Sequence, residues 1–260
     1  MISVISVISI RRIATALVAL AAFTSAPLFA EAPDFKALLK AVDANGDFGA
    51  RDYSAVFTIV TQKPQEKDTV MQIKLFRRDE RDQVVWIILK PDAQKGQGFL
   101  KVEDNIWMYD PESGKYSHST MKEQIQNSKA KSSDLKRASY AEDYDIAAWE
   151  EGMLGKYPVY VLSLKAKNNE VSYPTLKLSV RTDKPLVLKE EDYSLSDRLM
   201  RTVLYPPKYI EVAGRTVYSQ ILIQDELNKG EKSQLTISDV SVANLPDATF
   251  SKAFLGQSSR

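Results

Sequence analysis

The most restrictive feature of this chain is a succession of short runs in which apolar and polar residues alternate with period two. Leu176, Leu178 and Val180 alternate with Lys177, Ser179 and Arg181; Met71, Ile73 and Leu75 alternate with Gln72 and Lys74. Tyr53, Ala55, Phe57 and Ile59 share one face of a run ending at Thr61. Period two is the mark of a strand with one buried face. Polar or glycine-bearing turns separate the runs, at residues 63–68, 77–82, 196–197 and 213–214, and Pro206-Pro207 breaks the pattern outright. The charged turn at 77–82 reads as solvated. No strand–helix–strand rhythm intervenes. About ten or eleven such strands predict an antiparallel meander, and a meander of that length must curl or close.

Two segments modify the pattern. Residues 84–89 are apolar at every position, including Trp86 and Ile88, so this strand is expected to be covered on both faces. In 234–242, Leu235 and Ile237 keep one phase while Val240 and Val242 keep the other, which predicts a bulge. Two stretches have helical spacing. Phe35, Leu38, Leu39 and Val42 predict a helix over 32–42, started by Pro33 or Asp34. Ile146, Trp149, Met153 and Leu154 predict another over 141–154, with acids in its first turn and Gly152 and Gly155 at its end. The fold class is therefore mainly β (α+β): an unclosed antiparallel β-barrel with helices covering its concave face.

The hairpin at 96–111 is the richest segment. Glu103, Asp104 and Asn105 form a tight acidic turn, followed by Ile106, Trp107, Met108 and Tyr109. Alternation puts Trp107 and Tyr109 on one face and Ile106 and Met108 on the other. The two aromatics either anchor the core or line a hollow that receives an apolar ligand. Residues 117–139 then lapse into a polar stretch carrying Lys122, Lys129, Lys131, Lys136 and Arg137. Loops of that length are usually functional or mobile, so this one is expected to be a surface excursion, a lid over a cavity mouth or a basic surface for a partner.

Composition excludes several functions. The 260 residues carry 35 basic and 34 acidic side chains, a net charge of +1, which lacks the basic excess of a nucleic-acid binder. There is no Cys and one His, His118, so disulfides, thiol nucleophiles and Cys- or His-rich metal sites fall away. Asp43 to Asp47 resembles a calcium loop, but Phe48 stands where the obligatory Gly belongs. No nucleophile elbow, phosphate-binding loop or zinc-protease motif occurs, and the carboxylate groups at 103–104, 142–143 and 190–192 read as solvated. The sequence is that of a non-enzyme needing no cofactor or metal. At the N-terminus, Arg11-Arg12 precede an apolar run from Ile13 to Phe23, and Ala30 offers a small residue for cleavage. Residues 1–30 are expected to be a secretory signal, and 31–260 one periplasmic domain.

The order Gly96, Gly98, Phe99-Leu100, acidic turn, then Trp107-x-Tyr109-x-Pro111 resembles the LolA/LolB superfamily, nearest to outer-membrane lipoprotein-sorting proteins. Ser132-Ser133-Asp134-Leu135 with Tyr140-Ala141-Glu142-Asp143 is similar to that family's Ser-Asp-Phe and Tyr-x-x-Asp element, with Leu135 in place of Phe. Leu245-Pro246-Asp247-Ala248-Thr249-Phe250 is similar to its closing Leu-Pro-Asp-x-x-Phe. The resemblance implies a monomeric carrier that holds lipoprotein acyl chains, or other lipids, in an apolar cavity. An inner-membrane transporter and an outer-membrane acceptor are its expected partners. A protein-interaction module of the same fold, sensing the envelope or serving a transporter, is the alternative. On the carrier reading, Phe57, Ile59, Met71, Ile73, Trp86, Ile88, Trp107 and Tyr109 are expected to line the cavity, with Trp149 and Met153 on the lid.

Overall fold

The computed structural model describes residues 33–103, 105–125 and 128–258; the expected signal segment and Asp104 of the acidic turn lie outside the described residues. The first element, α1 (Phe35–Ala44), begins where Asp34 caps it, its carboxylate accepting from the Ala37 N–H at 2.9 Å. A meander of β1 (Tyr53–Gln62), β2 (Thr69–Arg78), β3 (Gln83–Lys90), β4 (Gly98–Val102), β5 (Asn105–Asp110) and β6 (Lys115–His118) follows. After the stretch 119–139 and the single turn α2 (Tyr140–Asp143), a second meander runs through β7 (Tyr144–Leu154), β8 (Tyr157–Ala166), β9 (Thr175–Arg181), β10 (Val187–Tyr193) and β11 (Leu199–Leu204). The hairpin of β12 (Tyr209–Val212) and β13 (Arg215–Tyr218) precedes β14 (Gln220–Asp225), β15 (Lys232–Val242) and α3 (Lys252–Gln257).

All strands but β12 and β13 join one 13-stranded sheet, in the order β6-β5-β4-β3-β2-β1-β15-β14-β11-β10-β9-β8-β7. The chain's last two strands thus splice the two meanders, while β6 and β7 end the sheet and leave it unclosed. Fifteen strands among the described residues, thirteen of them in this sheet, replace the ten or eleven expected. One reason lies at Ser219, which splits the expected run 216–225: its N–H donates to Lys208 O and its carbonyl accepts from Ile237 N–H, both at 2.9 Å. The other is β7, which the spacing predicted as a helix. A bulge between Ile146 and Ala148 inserts one extra residue, so Ile146 faces Leu164 and Trp149 faces Leu162. Ile146, Trp149 and Met153 therefore share a face at strand spacing plus one, which mimics a helical period. The bulge expected in 234–242 is present: Val242 pairs with Tyr53 and Ser238 with Val56, with Asp239 at φ 48°.

The two faces of the sheet are buried differently. On the inner face, Phe57, Ile73, Trp86, Phe99, Leu235 and their neighbours form one core. Beside it, α1 presses Phe35, Leu39 and Val42 onto Leu162, Leu164, Leu176 and Leu178 of the second meander. On the outer face of the first meander, Val85, Ile87 and Leu100 are covered by Phe250 and Leu255 of the C-terminal tail. That is why residues 84–88 are apolar throughout; Leu89, expected to be covered with them, is exposed. Gly98 lies under this cover; a Cβ there would collide with Leu255 Cδ1 and stand 3.0 Å from the Trp86 carbonyl. Gly98→Ala is expected to cost about 1–3 kcal/mol, read from a shift of the urea midpoint.

The turn at 77–82 is not solvated throughout, because Arg77 and Arg78 are buried. Arg78 holds Asp52 through two hydrogen bonds of 2.9 Å, and donates to Asp247 at 2.5 Å and to the Leu245 carbonyl at 2.6 Å. Its guanidinium lies 4.6 Å from the Phe250 ring centroid. The closing Leu-Pro-Asp-x-x-Phe segment is thus the part of the tail that one buried arginine fastens to the sheet.

Candidate functional site: a hollow under a polar strap

Between the inner face and the stretch 119–139 lies a cavity of about 830 Å³. That is within the range of sites that enclose small molecules. Phe48, Phe57, Ile106, Met121, Val217, Ile221 and Ile237 give it an apolar wall. Tyr140, Tyr144, Tyr173, Tyr205 and Tyr218 form a second wall that turns polar at Glu190, Arg201 and Asp134. Lys101, Lys122, Lys136 and Arg137 line it as well.

The cover is a strap, not a pair of helices. Ile125, Ala130 and Leu135 are buried in the inner core, so the expected surface excursion instead plugs part of the barrel. Within the strap, Ile125 N–H donates to Ala130 O and Ser132 N–H to Glu123 O, both at 2.9 Å. Ion pairs secure it at two of its residues, Lys129 and Asp134. Lys129 reaches Asp225 at 2.8 Å and also contacts Glu231. Asp134 takes a two-pronged grip from Arg201, at 2.7 and 2.8 Å. The strap's bases therefore do not present one outward surface: Lys129 is paired, and Lys131 lies 3.9 Å from the Tyr173 ring centroid.

Burial raises the Asp225 carboxyl, but hydrogen bonds from Lys129 and Asn228 outweigh it and bring the pKa down to about 2. A carboxyl depressed in the folded state contributes stability above its ordinary value of 3.8, and loses it as pH falls toward 2. Lys129→Met is expected to move this titration upward toward 3.8, followed by the Asp225 carboxyl resonance in an NMR pH series.

Behind Asp134 the network continues inward. Arg201 Nε donates to Asp192, which is fully buried. Glu190 lies two residues earlier on the same face of β10 and accepts from Tyr140 OH at 2.5 Å and Tyr205 OH at 3.1 Å. Burial, then the Glu190 carboxylate, pushes Asp192 well above the usual range against the pull of Arg201. The same burial and the same carboxylate raise Tyr140 and Tyr205, which stay protonated and donate. Arg201 also lies 4.8 Å from the Tyr173 ring centroid. Glu190 and Asp192 are thus neither solvated nor in a turn. The sequence signal for them was their spacing: acids at i and i+2 in a strand share a face.

Of the expected wall residues, Phe57 lines the hollow. Ile59, Met71, Ile73, Trp86 and Ile88 lie in the same inner core but outside the cavity wall. Trp107 and Tyr109 lie on the outer face with Phe250 and Leu255, so the hairpin contributes Ile106 to the wall instead. The register decides this: Trp107 pairs with outer Leu100, and Ile106 with Lys101. Trp149 and Met153 are on the edge strand β7, 42% and 64% exposed, and not on a lid helix. Among the described residues no group of His, Cys, Asp and Glu is placed to hold a metal, and no helix is long and apolar enough to cross a membrane.

The same fold occurs in solved structures of low sequence identity. The chain is similar to a LolA superfamily protein from Nitrosomonas europaea, with 23% identity, a TM-score of 0.74 and coverage of 84% of this chain and 98% of that one. It is similar to a DUF1329 family protein from Desulfovibrio piger, with 19% identity, a TM-score of 0.74 and coverage of 85% and 97%. A Vibrio parahaemolyticus protein described as an outer-membrane lipoprotein-sorting protein domain is 18% identical, with a TM-score of 0.73 and coverage of 85% and 97%. The chain belongs to a family described only as uncharacterized-protein-like, whose model matches residues 80–257. No curated protein matches it by sequence.

Proposed function

We propose that the protein is a periplasmic carrier, working after residues 1–30 are removed as a secretion signal. Its hollow shelters the acyl part of a lipoprotein or of another lipid on the way toward the outer membrane. The observation that carries this reading is the 830 Å³ of space that the protein's own side chains leave between strap and sheet. Removing a lipid chain from water is worth about 0.8 kcal/mol per methylene, so even a partly sheltered tail supplies several kcal/mol before association costs. The strap suits a cover because ion pairs from Lys129 and to Asp134 anchor it while Ile125, Ala130 and Leu135 close the apolar core beneath it. The likeness to a lipoprotein-sorting domain agrees with this assignment. The test is delipidated protein titrated with a fluorescent fatty acid, together with mass spectrometry of lipids that co-purify with the native protein. Saturable one-to-one binding is expected; no binding and no co-purifying lipid would reject the carrier.

A second reading, an interaction module serving an inner-membrane transporter, is favoured by one observation. The 11-residue β7 ends the sheet with Trp149 and Met153 exposed, and such an edge is a template for strand addition. On this reading, Trp149→Ser with Met153→Ser abolishes cross-linking to the transporter in cells while fatty-acid binding persists. Unchanged cross-linking rejects it.

A further inference from the structure

Resting on the carrier reading, we infer that the hollow selects amphiphiles with an anionic headgroup, phosphate or carboxylate, which Lys136 and Arg137 receive at the strap's C-terminal end. Both side chains line the cavity, and both also line a smaller cavity of about 210 Å³ beside it. They differ from Lys129 and Lys101 in how they are paired. Lys129 is held close by two carboxylates. Lys101 contacts Asp82 and two carbonyls. Lys136 instead stands 3.9 Å from Asp82, and Arg137 stands 3.6 Å from Asp47 and 3.8 Å from Glu142. Those separations are too long for hydrogen bonds, so the charges are near acids yet their donors remain unsatisfied by them.

Both groups are also partly shielded, at 32% and 24% side-chain exposure. A cation in that position is screened less than one on an open surface, and an anion reaching it makes stronger, charge-assisted bonds. The planar guanidinium of Arg137 matches phosphate and carboxylate oxygens in pairs. The apolar wall around Phe57 and Ile106 lies in the same hollow, so one molecule with a tail and an anionic head satisfies both. A neutral amphiphile of equal tail leaves the two cations as they are; a cationic one meets repulsion.

The experiment compares dodecyl phosphate, monolauroylglycerol, dodecyltrimethylammonium and inorganic phosphate by calorimetry, below micellar concentrations, on the full delipidated protein. Dodecyl phosphate is expected to bind about tenfold more tightly than monolauroylglycerol, as one charge-assisted bond implies. Inorganic phosphate should not compete at millimolar concentration, which separates a lipid head from a free-anion site. Lys136→Gln with Arg137→Gln should bring the ratio of the two affinities near one, while Lys136→Arg with Arg137→Lys keeps most of it and controls for folding. Equal binding of the anionic and neutral amphiphiles by the native protein, or a ratio unchanged in the glutamine variant, overturns the inference and leaves the carrier standing. Tight binding of inorganic phosphate alone overturns the lipid-head assignment. Binding of none of the four overturns the carrier reading and this inference with it.

Discussion

Arg201→Met is expected to destabilise the protein by about 3–5 kcal/mol near neutral pH, the cost of leaving buried acids without their cation. Arg201 bridges two acids, Asp134 on the strap and Asp192 on β10. The loss should depend on pH in a defined direction. Asp192 is raised in the folded state, so the folded protein binds more protons than the unfolded chain once pH exceeds the ordinary value of 3.8. Stability contributed through this group therefore falls as pH rises. Removing Arg201 removes the pull that opposes the rise, so the gap between variant and native protein should widen from pH 4 to pH 8. Urea unfolding at several pH values measures it. A loss independent of pH would mean that Arg201 acts through packing on Tyr173 and not as a counterion. Replacing the triad together, Arg201→Met with Asp134→Leu and Asp192→Leu, should recover much of the stability.

The outline of the sheet was legible because its strands obey period two, and the bulge in β15 was legible because that period breaks between Ile237 and Val240. The edge strand β7 was not: one inserted residue gives a strand the spacing of a helix, and no local pattern separates the two. Trp107 and Tyr109 were correctly placed together on one face, but which face was inner depended on the tail. Only Phe250 and Leu255, more than 130 residues away, make that side the outer one. The strap was illegible for a different reason. Its composition is polar and basic, and its burial rests on pairings to Asp225, Glu231 and Arg201 that lie far along the chain. Long-range ion pairs leave no periodic trace. Two of the three motifs that carried the family resemblance sit at the two arginine clamps, with Asp134 on Arg201 and Asp247 on Arg78. They mark where irregular segments are tied to the sheet, which is why they announce the fold and not a ligand.

Leu135→Ala tests the strap and the hollow together. Leu135 is buried in the inner core and also lines the cavity, so truncation is expected to cost about 2–5 kcal/mol, as for other large-to-small core changes. The space released opens into the hollow. A bound fatty acid then has room for one or two more methylenes, worth about 0.8 kcal/mol each, or roughly four- to fifteen-fold in Kd. Laurate at a hundred times its Kd stabilises a protein that binds it by about 2.7 kcal/mol. At one fixed laurate concentration, the variant should therefore regain more stability than the native protein gains. Leu39→Ala is the control: Leu39 is equally buried, on the inward face of α1, but does not line the hollow, so it should lose similar stability and show only the native response to laurate. Thermal unfolding of the three proteins with and without laurate separates the cases. An identical laurate response in both variants would place the tail away from the strap, and no response in any of the three would leave the hollow without a lipid.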